Sequence, residues 1–109
     1  MAQNALTIER IETVQVAPRW GLLRILTEDG LTGYGEYTVE GQLHSTQRLV
    51  HELGERIIGG DARDIKRLVR GCYDQNFYHG GPHYMSALGG IEIALWDILG
   101  KALNQPVYA

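Results

Sequence analysis

The spacing of the apolar residues changes once along this chain, near Gly41, and that change limits the folds it can adopt. Before Gly41, three segments rich in apolar and β-branched residues are separated by short breaks, as expected for strands. After Gly41, apolar residues recur every three to four positions, which is the period of a helix packed on one side. Because all predicted strands precede all predicted helices, the order indicates an α+β domain.

Three strands with short connections are predicted in the first part of the chain. The first covers residues 6–16, although its alternation slips around Arg10, and the second covers residues 22–27. A turn follows in which Gly30 can take the positive φ that hairpins require, and it leads to the third strand. Consecutive strands joined in this way predict an antiparallel meander over residues 6–37.

Three helices are predicted between residues 42 and 104. The first is expected to end near Gly60, and Asp61 is expected to cap the second. Pro82 stands where the first turn of the third helix tolerates a proline, and that helix continues to about Leu103. The three helices are expected to cover one face of the meander.

Two pairs of glycines lie inside predicted elements and need an explanation. Gly33 and Gly35 are poor strand formers, so they indicate either a bulge or a close approach of another backbone. Gly89 and Gly90 lie within the third helix, where each glycine costs about 1 kcal/mol relative to alanine. This cost is tolerable if another backbone packs closely against the helix at that point.

The third helix is more apolar than a three-stranded sheet and two short helices are expected to cover. Its apolar residues point in more than one direction, so we expect part of this surface to be exposed. Either a dimer formed through this helix or further polypeptide would cover it. The residues expected to need such cover are Leu88, Ile91, Leu95 and Trp96.

Composition excludes several classes of protein. The chain has 109 residues, 44% hydrophobic and 21% charged, with a net charge of −3, which is typical of a globular domain. No basic stripe favours nucleic-acid binding, and no apolar run reaches the length of a membrane span. Cys72 is the single cysteine and cannot form an internal disulfide. We therefore predict a cytoplasmic domain without nucleic-acid or membrane partners.

The residue spacing indicates neither a metal centre nor a catalytic set. His79 and His83 are separated by Gly-Gly-Pro, which prevents the single helical turn that would align them as ligands. His44 and His51 lie on the first helix, with no partner expected within reach. The chain also lacks a nucleophile beside a base, so we predict no catalytic residue and no metal ligand within it.

Two loops carry the residues best suited to contact a polar ligand. Arg19 and Trp20 stand between the first two strands, where a guanidinium beside an aromatic ring can meet such a ligand. An equally weighted alternative is that Trp20 covers the sheet edge while Arg19 is solvated. Tyr37 and Glu40 follow the third strand. Loops at one edge of a small domain can together form half of a pocket.

The segment ALGGIEIALWDILGKALNQPV, residues 87–107, resembles the first signature of the mandelate racemase and muconate lactonising enzyme group of the enolase superfamily. GYGE, residues 33–36, is similar to the Gly-aromatic-Gly-Glu that ends the third strand of that family's capping domain. FYHGGPHYMSA and other segments resemble its galactonate dehydratase-like branch. The positions that match the signature are Glu92, Ala94, Leu95, Asp97, Gly100, Lys101, Pro106 and Val107.

The resemblance implies an N-terminal capping domain whose C-terminal (β/α) barrel is absent from the chain. In that family the barrel holds one Mg²⁺ through three carboxylates and carries the base that removes the proton α to a carboxylate. The implied activity is dehydration of an acid sugar through an enediolate, with no metal bound and no activity in this chain alone. Because the signature continues beyond Ala109, we expect the chain to be part of a larger enzyme. The resemblance further implies that the parent enzyme is a homo-oligomer.

For the cap itself, the resemblance implies a lid whose loops exclude water and contact the distal end of the substrate. His79 stands where the branch usually has arginine, which leaves the exact acid sugar open. A racemase cap, a cycloisomerase cap and a free-standing module that dimerises remain alternatives. The expected substrate contacts are Arg19, Trp20, Tyr37, Glu40 and His79.

Overall fold

The computed structural model describes residues 6–16, 20–38, 43–74 and 82–104. The strands pair antiparallel in the order β1-β2-β3, which confirms the predicted meander and the α+β class. The helices follow the sheet in the chain, as predicted. The elements are β1 (Ile8–Val16), β2 (Trp20–Thr27), β3 (Thr32–Glu36), α1 (Leu43–Gly54), α2 (Ile65–Asp74) and α3 (Pro82–Leu103).

One face of the sheet is buried and the other is exposed. Ile11 of β1 lies opposite Ile25 of β2, and both side chains are buried against the helices. A register shift between Ile8 and Arg10 brings Ile8 onto the same buried face, which is why the alternation slips there in the sequence. In the turn from β2 to β3, Gly30 has a φ of 98°, as its position predicts.

Helix α3 lies along β3 with the two backbones in contact. A Cβ added to Gly33 would lie 2.1 Å from the carbonyl oxygen of Ala94, and one added to Gly35 would lie 2.0 Å from that of Gly90. A Cβ on Gly90 would in turn lie 2.6 Å from the carbonyl oxygen of Glu36. Only hydrogen fits at these places, so the close approach inferred from the glycines is confirmed.

The sheet and the other helices cover more of α3 than its sequence suggests. Leu88, Ile91 and Leu95 are buried, so the expectation that these three need further cover is wrong. The reason is the close approach to β3, which lets α3 pack against β2, α1 and α2 as well. A narrower stripe of α3 stays open, and its large exposed residues are Met85, Ile93, Trp96 and Leu103.

Helix α1 ends at Gly54 and not near Gly60 as predicted. A Cβ on Gly54 would lie 2.6 Å from Cγ2 of Ile11, so the chain passes close to β1 there and then continues in tight turns. These turns keep Ile57 buried, which explains why the helical period persists in the sequence beyond the helix. The carbonyl of Gly60 then accepts a hydrogen bond from the N–H of Ile8 at 2.9 Å.

Asp61 does not cap α2, because Asp64 is the residue whose carbonyl accepts the N–H of Leu68, at 2.9 Å. The Asp61 carboxylate accepts the backbone N–H of Arg63 at 3.0 Å and is paired with its guanidinium at 2.7 Å. These hydrogen bonds lower the pKa of Asp61 to about 2. Asp61 also forms a bridge with Thr7, so its turn fastens the chain just before β1.

Replacing Gly35 with alanine is expected to destabilise the domain by about 1–3 kcal/mol, because the new methyl group forces α3 away from β3. Gly89→Ala is the matched control: a Cβ there meets nothing within 4 Å, so stability is expected to rise by up to about 1 kcal/mol. Urea denaturation measures both. Equal stability of the two variants would contradict the backbone contact.

Asp61→Asn is expected to remove a stabilisation that depends on pH. Because folding lowers the pKa of Asp61 from 3.8 to about 2, the stabilisation is fully present above about pH 4 and is lost as the pH falls towards 2. The free energies of unfolding of the two proteins should therefore differ above pH 4 and converge near pH 2. If the free energies of unfolding of the two proteins differ by the same amount from pH 4 to pH 2, the ion pair of Asp61 with Arg63 does not contribute a pH-dependent stabilisation.

Candidate functional site

Two of the three segments that carry the predicted substrate contacts adjoin the same end of the sheet in the chain. Trp20 opens β2 opposite Val16, on the exposed face of the sheet, and its side chain is 52% exposed. Tyr37 directly follows β3 at the same end. The other three candidates, Arg19, Glu40 and His79, lie outside the described residues.

Four residues form a hydrogen-bonded group at this end, the loop-base node, made of Gly21, Tyr37, Thr38 and Ser86. The N–H of Tyr37 donates to the carbonyl of Gly21 at 2.9 Å. In return, the N–H of Gly21 donates to Oγ1 of Thr38 at 3.0 Å. Oγ of Ser86 on α3 donates to the carbonyl of Thr38 at 3.3 Å. The node thus joins both strands to the start of α3.

The position of the node relates the candidate residues to one another. Gly21 of β2 comes just after residues 17–19, and Tyr37 and Thr38, which follow β3, come just before residues 39–42. Ser86 of α3 follows residues 75–81 by about one helical turn. These are the segments that contain Arg19, Glu40 and His79. The flanks of all three are therefore brought together, although sequence reasoning related only the first two.

Tyr37 is fully buried, with a relative exposure of 0%. Its ring lies on the backbone of β2, because a Cβ on Gly21 would come 2.5 Å from Cε2 of the ring. Any other residue at position 21 would displace the ring, so Gly21 and Tyr37 form one packing unit. Because the ring is fully buried, it presents no surface to a ligand in this arrangement.

A second polar group, the Thr13 clasp, holds α1 to β1 and consists of Thr13, Gln47 and His51. Nε2 of Gln47 donates to Oγ1 of Thr13 at 2.9 Å, and Nε2 of His51 lies 2.9 Å from the same oxygen. The expectation that His51 has no partner is therefore wrong, because its partner lies on a strand distant in sequence. Helix α1 begins directly after residues 39–42, so the Thr13 clasp holds the helix that follows this segment against β1.

The hydroxyl of Tyr37 is buried and has no hydrogen-bond partner among the described residues. Burial raises the pKa of this hydroxyl, and the side chain of Thr13 partly opposes the change. An unpaired buried hydroxyl is unfavourable, since it has lost water without gaining a partner. The sequence contains no signal for this atom, because it depends on the packing of β1, β2 and α1.

The signature residues Asp97 and Lys101 of α3 lie at the free edge of β3. Oδ2 of Asp97 accepts the N–H of Tyr34 at 3.0 Å, and Nζ of Lys101 donates to the carbonyl of Thr32 at 2.7 Å. The two side chains are 3.0 Å apart, and Nζ lies 4.9 Å from the centroid of the Tyr34 ring. They thus occupy backbone groups that an edge strand otherwise leaves open.

Two surface recesses lie away from the loop-base node. One, of about 240 Å³, is on the exposed face of the sheet and includes Glu12 and Arg24, which are paired at 2.6 Å. Hydrogen bonds from Arg10 and Arg24 lower the pKa of Glu12. The other, of about 410 Å³, lies between the turn after β2 and the end of α3. Neither is lined by Trp20 or Tyr37.

The described part of the chain does not fit a bound metal ion. It contains no group of three or more His, Cys, Asp or Glu side chains placed to hold one. Divalent cations such as Mg²⁺ require several oxygen ligands, so no metal chemistry can be derived from these residues.

Burial raises the pKa of the Cys72 thiol, which is typical of an unreactive cysteine. Among the described helices, none is long and apolar enough to span a bilayer.

The sequence model of the family described as "Mandelate racemase / muconate lactonizing enzyme, N-terminal domain" matches residues 6–109. The chain therefore belongs to this family, within the enolase superfamily, and the resemblance inferred from its signature is confirmed. Asp97, Lys101 and the glycines of β3, which are among the residues that carry the resemblance, have structural roles in this chain.

Individual relatives and solved structures show which members of the family this chain is similar to. The chain is 50% identical to the D-galactonate dehydratase of Variovorax paradoxus and 48% identical to that of Klebsiella pneumoniae, over 93% of its length in each case. It spans 26% of the length of both relatives. The solved structure of a Pantoea ananatis enolase with bound D-gluconate and Mg is 33% identical, with a TM-score of 0.88, covering 94% of this chain and 26% of that one. An Agrobacterium radiobacter enolase with bound Na and L-malate is 28% identical, also with a TM-score of 0.88, and the match covers 94% of this chain and 27% of that one.

Lys101→Met is expected to lower the free energy of unfolding by about 0.5–1.5 kcal/mol, because the carbonyl of Thr32 loses its donor and Asp97 loses its ion pair. Lys66→Met on α2 is the control, since its exposed side chain should change stability by less than about 0.5 kcal/mol. Chemical denaturation of both variants measures the difference. If the two variants lose equal stability, Lys101 has no special role at the strand edge.

Proposed function

We propose that this chain is the substrate-capping and specificity domain of a Mg²⁺-dependent acid-sugar dehydratase of the galactonate dehydratase type. The identity of 50% and 48% to two D-galactonate dehydratases supports this substrate class. Solved structures named mandelate racemase/muconate lactonizing enzyme are 28% and 30% identical, and two named as candidate dehydratases are 29% and 28% identical, so the choice of a dehydratase rests on the two D-galactonate dehydratases. The cap of a racemase or of a cycloisomerase is the alternative.

The observation that carries the capping role is the loop-base node. A lid needs flexible segments whose two ends are held, so that they can close on a substrate without unfolding the domain. The node holds one flank of each of the three candidate segments at a single end of the sheet, and the Thr13 clasp holds the second flank of residues 39–42. We infer that this end of the domain faces the substrate.

The proposed contacts are polar, as a polyhydroxylated carboxylate requires. Arg19 offers five N–H donors to hydroxyl or carboxylate oxygens, Glu40 accepts from hydroxyl groups, and Trp20 provides an apolar surface for the carbon chain. His79 offers a donor or an acceptor, according to its tautomer. Tyr37 is expected to support the substrate contacts of its neighbours without touching the substrate, because its side chain is buried.

The proposed reaction takes place on a catalytic domain elsewhere in the parent protein. A base removes the proton α to the carboxylate, the β-hydroxyl leaves as water with a proton from an acid, and the resulting enol becomes a 2-keto-3-deoxy acid. Mg²⁺, held by carboxylates outside this chain, would stabilise the negative charge that develops on the substrate carboxylate. The cap's own contribution is to exclude water and to recognise the distal hydroxyl groups.

The test is a domain exchange. Residues 6–109 of this chain replace the matching segment of the Variovorax paradoxus dehydratase, and formation of the 2-keto acid from D-galactonate is followed. We expect the chimera to dehydrate D-galactonate, and Trp20→Ala within it to raise KM about tenfold, corresponding to about 1.4 kcal/mol of lost contact. The isolated chain is expected to show no activity.

The controls for this exchange use the same assay. The unmodified Variovorax enzyme provides the reference rate, and circular dichroism verifies that the chimera is folded. A folded chimera that dehydrates no acid sugar would reject the proposed function. Because the catalytic residues of the chimera come from the Variovorax enzyme, a chimera that keeps kcat but has a KM for D-galactonate far above the reference would favour a cap for another substrate.

A further inference from the structure

We propose that β1 pairs along its free edge with β1 of a second copy of this chain, so that two three-stranded sheets form one six-stranded sheet. The inference goes beyond the proposed function, because it concerns the assembly of the protein and not its reaction. It rests on two features that coincide over residues 11–16. Their outward backbone groups have no partner among the described residues, and exposed apolar side chains lie beside them.

The two edges of the sheet differ in how their backbone groups are occupied. The edge of β3 is closed by charged side chains of α3, as described above. The edge of β1 is closed at its start, where Ile8 donates to the carbonyl of Gly60 and accepts from the N–H of Gly59, both at 2.9 Å. From residue 11 to residue 16, no described residue pairs with this edge.

The register shows which backbone groups point to the free edge of β1. Gly21 exchanges its hydrogen bonds with the residues that follow β3, so the N–H and C=O of the next residue, Leu22, point towards β1. Leu22 lies opposite Val14, whose N–H and C=O therefore point towards β2. These directions alternate along a strand. The residues whose backbone groups face the free edge are Ile11, Thr13 and Gln15.

Exposed apolar side chains lie beside these backbone groups. Val14 is 53% exposed on the outer face of the sheet, and Val16 next to it on that face is also exposed. Their partners on β2, Leu22 and Trp20, are exposed as well, so the four side chains form one apolar patch. A second β1 added at the free edge lies against Val14 and Val16, so it removes part of this patch from water.

A second copy fits the free edge because the edge is complementary to itself in one register. In antiparallel pairing about a two-fold axis at Thr13, Ile11 of each copy lies opposite Gln15 of the other, so each open N–H meets a C=O. The second β1 then ends opposite Arg10, just before the part of the edge that is already closed. The pairing thus uses the whole of the open part and no more.

Neighbouring registers are less favourable. An axis at Glu12 would place two carboxylates directly opposite each other. An axis at Ile11 would bring the second strand opposite Ile8, whose edge is already occupied. An axis at Val14 would leave Ile11 without a residue of the second β1 opposite it. The open backbone groups therefore favour the axis at Thr13.

The charges of α1 are compatible with the same axis. The Thr13 clasp joins β1 to the middle of α1, whereas Ile11 lies against Gly54 at its end, so α1 runs antiparallel to β1. The axis therefore places two α1 helices antiparallel to each other, with their clasps nearest to the axis. Arg48 and Glu52 are exposed on α1 beside the clasp. In this arrangement Arg48 of each copy approaches Glu52 of the other, so the charges are complementary.

Gln15→Pro tests the backbone pairing. The proline removes an N–H that points to the free edge and makes no bond to β2, so each copy should stay folded, which circular dichroism verifies. We expect light scattering of the 109-residue chain to give twice the 12.2 kDa of one copy. Gln15→Pro should raise the dissociation constant of this dimer about tenfold or more, because hydrogen bonds between the copies lose their donors. Gln15→Ala keeps the N–H and is the matched control, with the dissociation constant expected to stay within about twofold.

Cysteine pairing tests the register and does not depend on the proline variant. With the axis at Thr13, residue 12 of one copy lies opposite residue 14 of the other, at the close spacing of antiparallel strands that allows a disulfide. We expect Glu12→Cys combined with Val14→Cys to give a covalent dimer under mild oxidation, and each single variant to give little. The native Cys72 is buried and does not interfere. The same comparison in the full-length enzyme that carries this domain reports on this edge, whatever other contacts that enzyme makes.

Several results would overturn the inference. A wild-type chain that stays monomeric at every concentration measured would do so, and so would a dimer that Gln15→Pro leaves unchanged, because another face, such as the exposed stripe of α3, would then hold it. A covalent dimer from Val14→Cys alone would overturn the axis at Thr13. A link in the 109-residue chain but not in the full-length enzyme would mean that another part of the enzyme covers the edge. The dehydratase activity is measured separately by the domain exchange, so these results leave the proposed function untouched.

Discussion

The contact between the backbones of α3 and β3 is the interaction on which the rest of this domain depends. Carbonyl oxygens of the helix lie where a Cβ of Gly33 or Gly35 would stand, so the helix is as near to the sheet as two backbones permit. This approach buries the apolar face of α3, including Ile91 and Leu95. A helix held further out would leave those side chains in contact with water.

The same contact positions the polar groups of the domain. Because α3 lies along β3, Asp97 and Lys101 reach the free edge of that strand, and Ser86 reaches the carbonyl of Thr38 just after its end. The residues of α3 that resemble the family signature therefore hold the helix against β3 in this chain. Its charged residues close a strand edge, and its small residues allow the helix to approach.

Sequence patterns predicted the α+β class, the order of the elements and the close approach at the glycines, because these follow from local periodicity and from residue size. Three predictions were wrong for one shared reason. The end of α1, the cap of α2 and the isolation of His51 each depend on a contact with a residue distant in sequence. Ile11 passes close to Gly54, Thr7 forms a bridge with Asp61, and Thr13 pairs with His51.

The sequence by itself determined the family and the candidate residues, since a signature and a hydrophobic period are properties of linear order. It could not indicate that Tyr37 is buried, that its hydroxyl lacks a described partner, or that Gly21, Thr38 and Ser86 meet at one point. Those facts were decided by the tertiary structure. Burial and hydrogen bonding depend on distances in space between segments that the chain order leaves far apart.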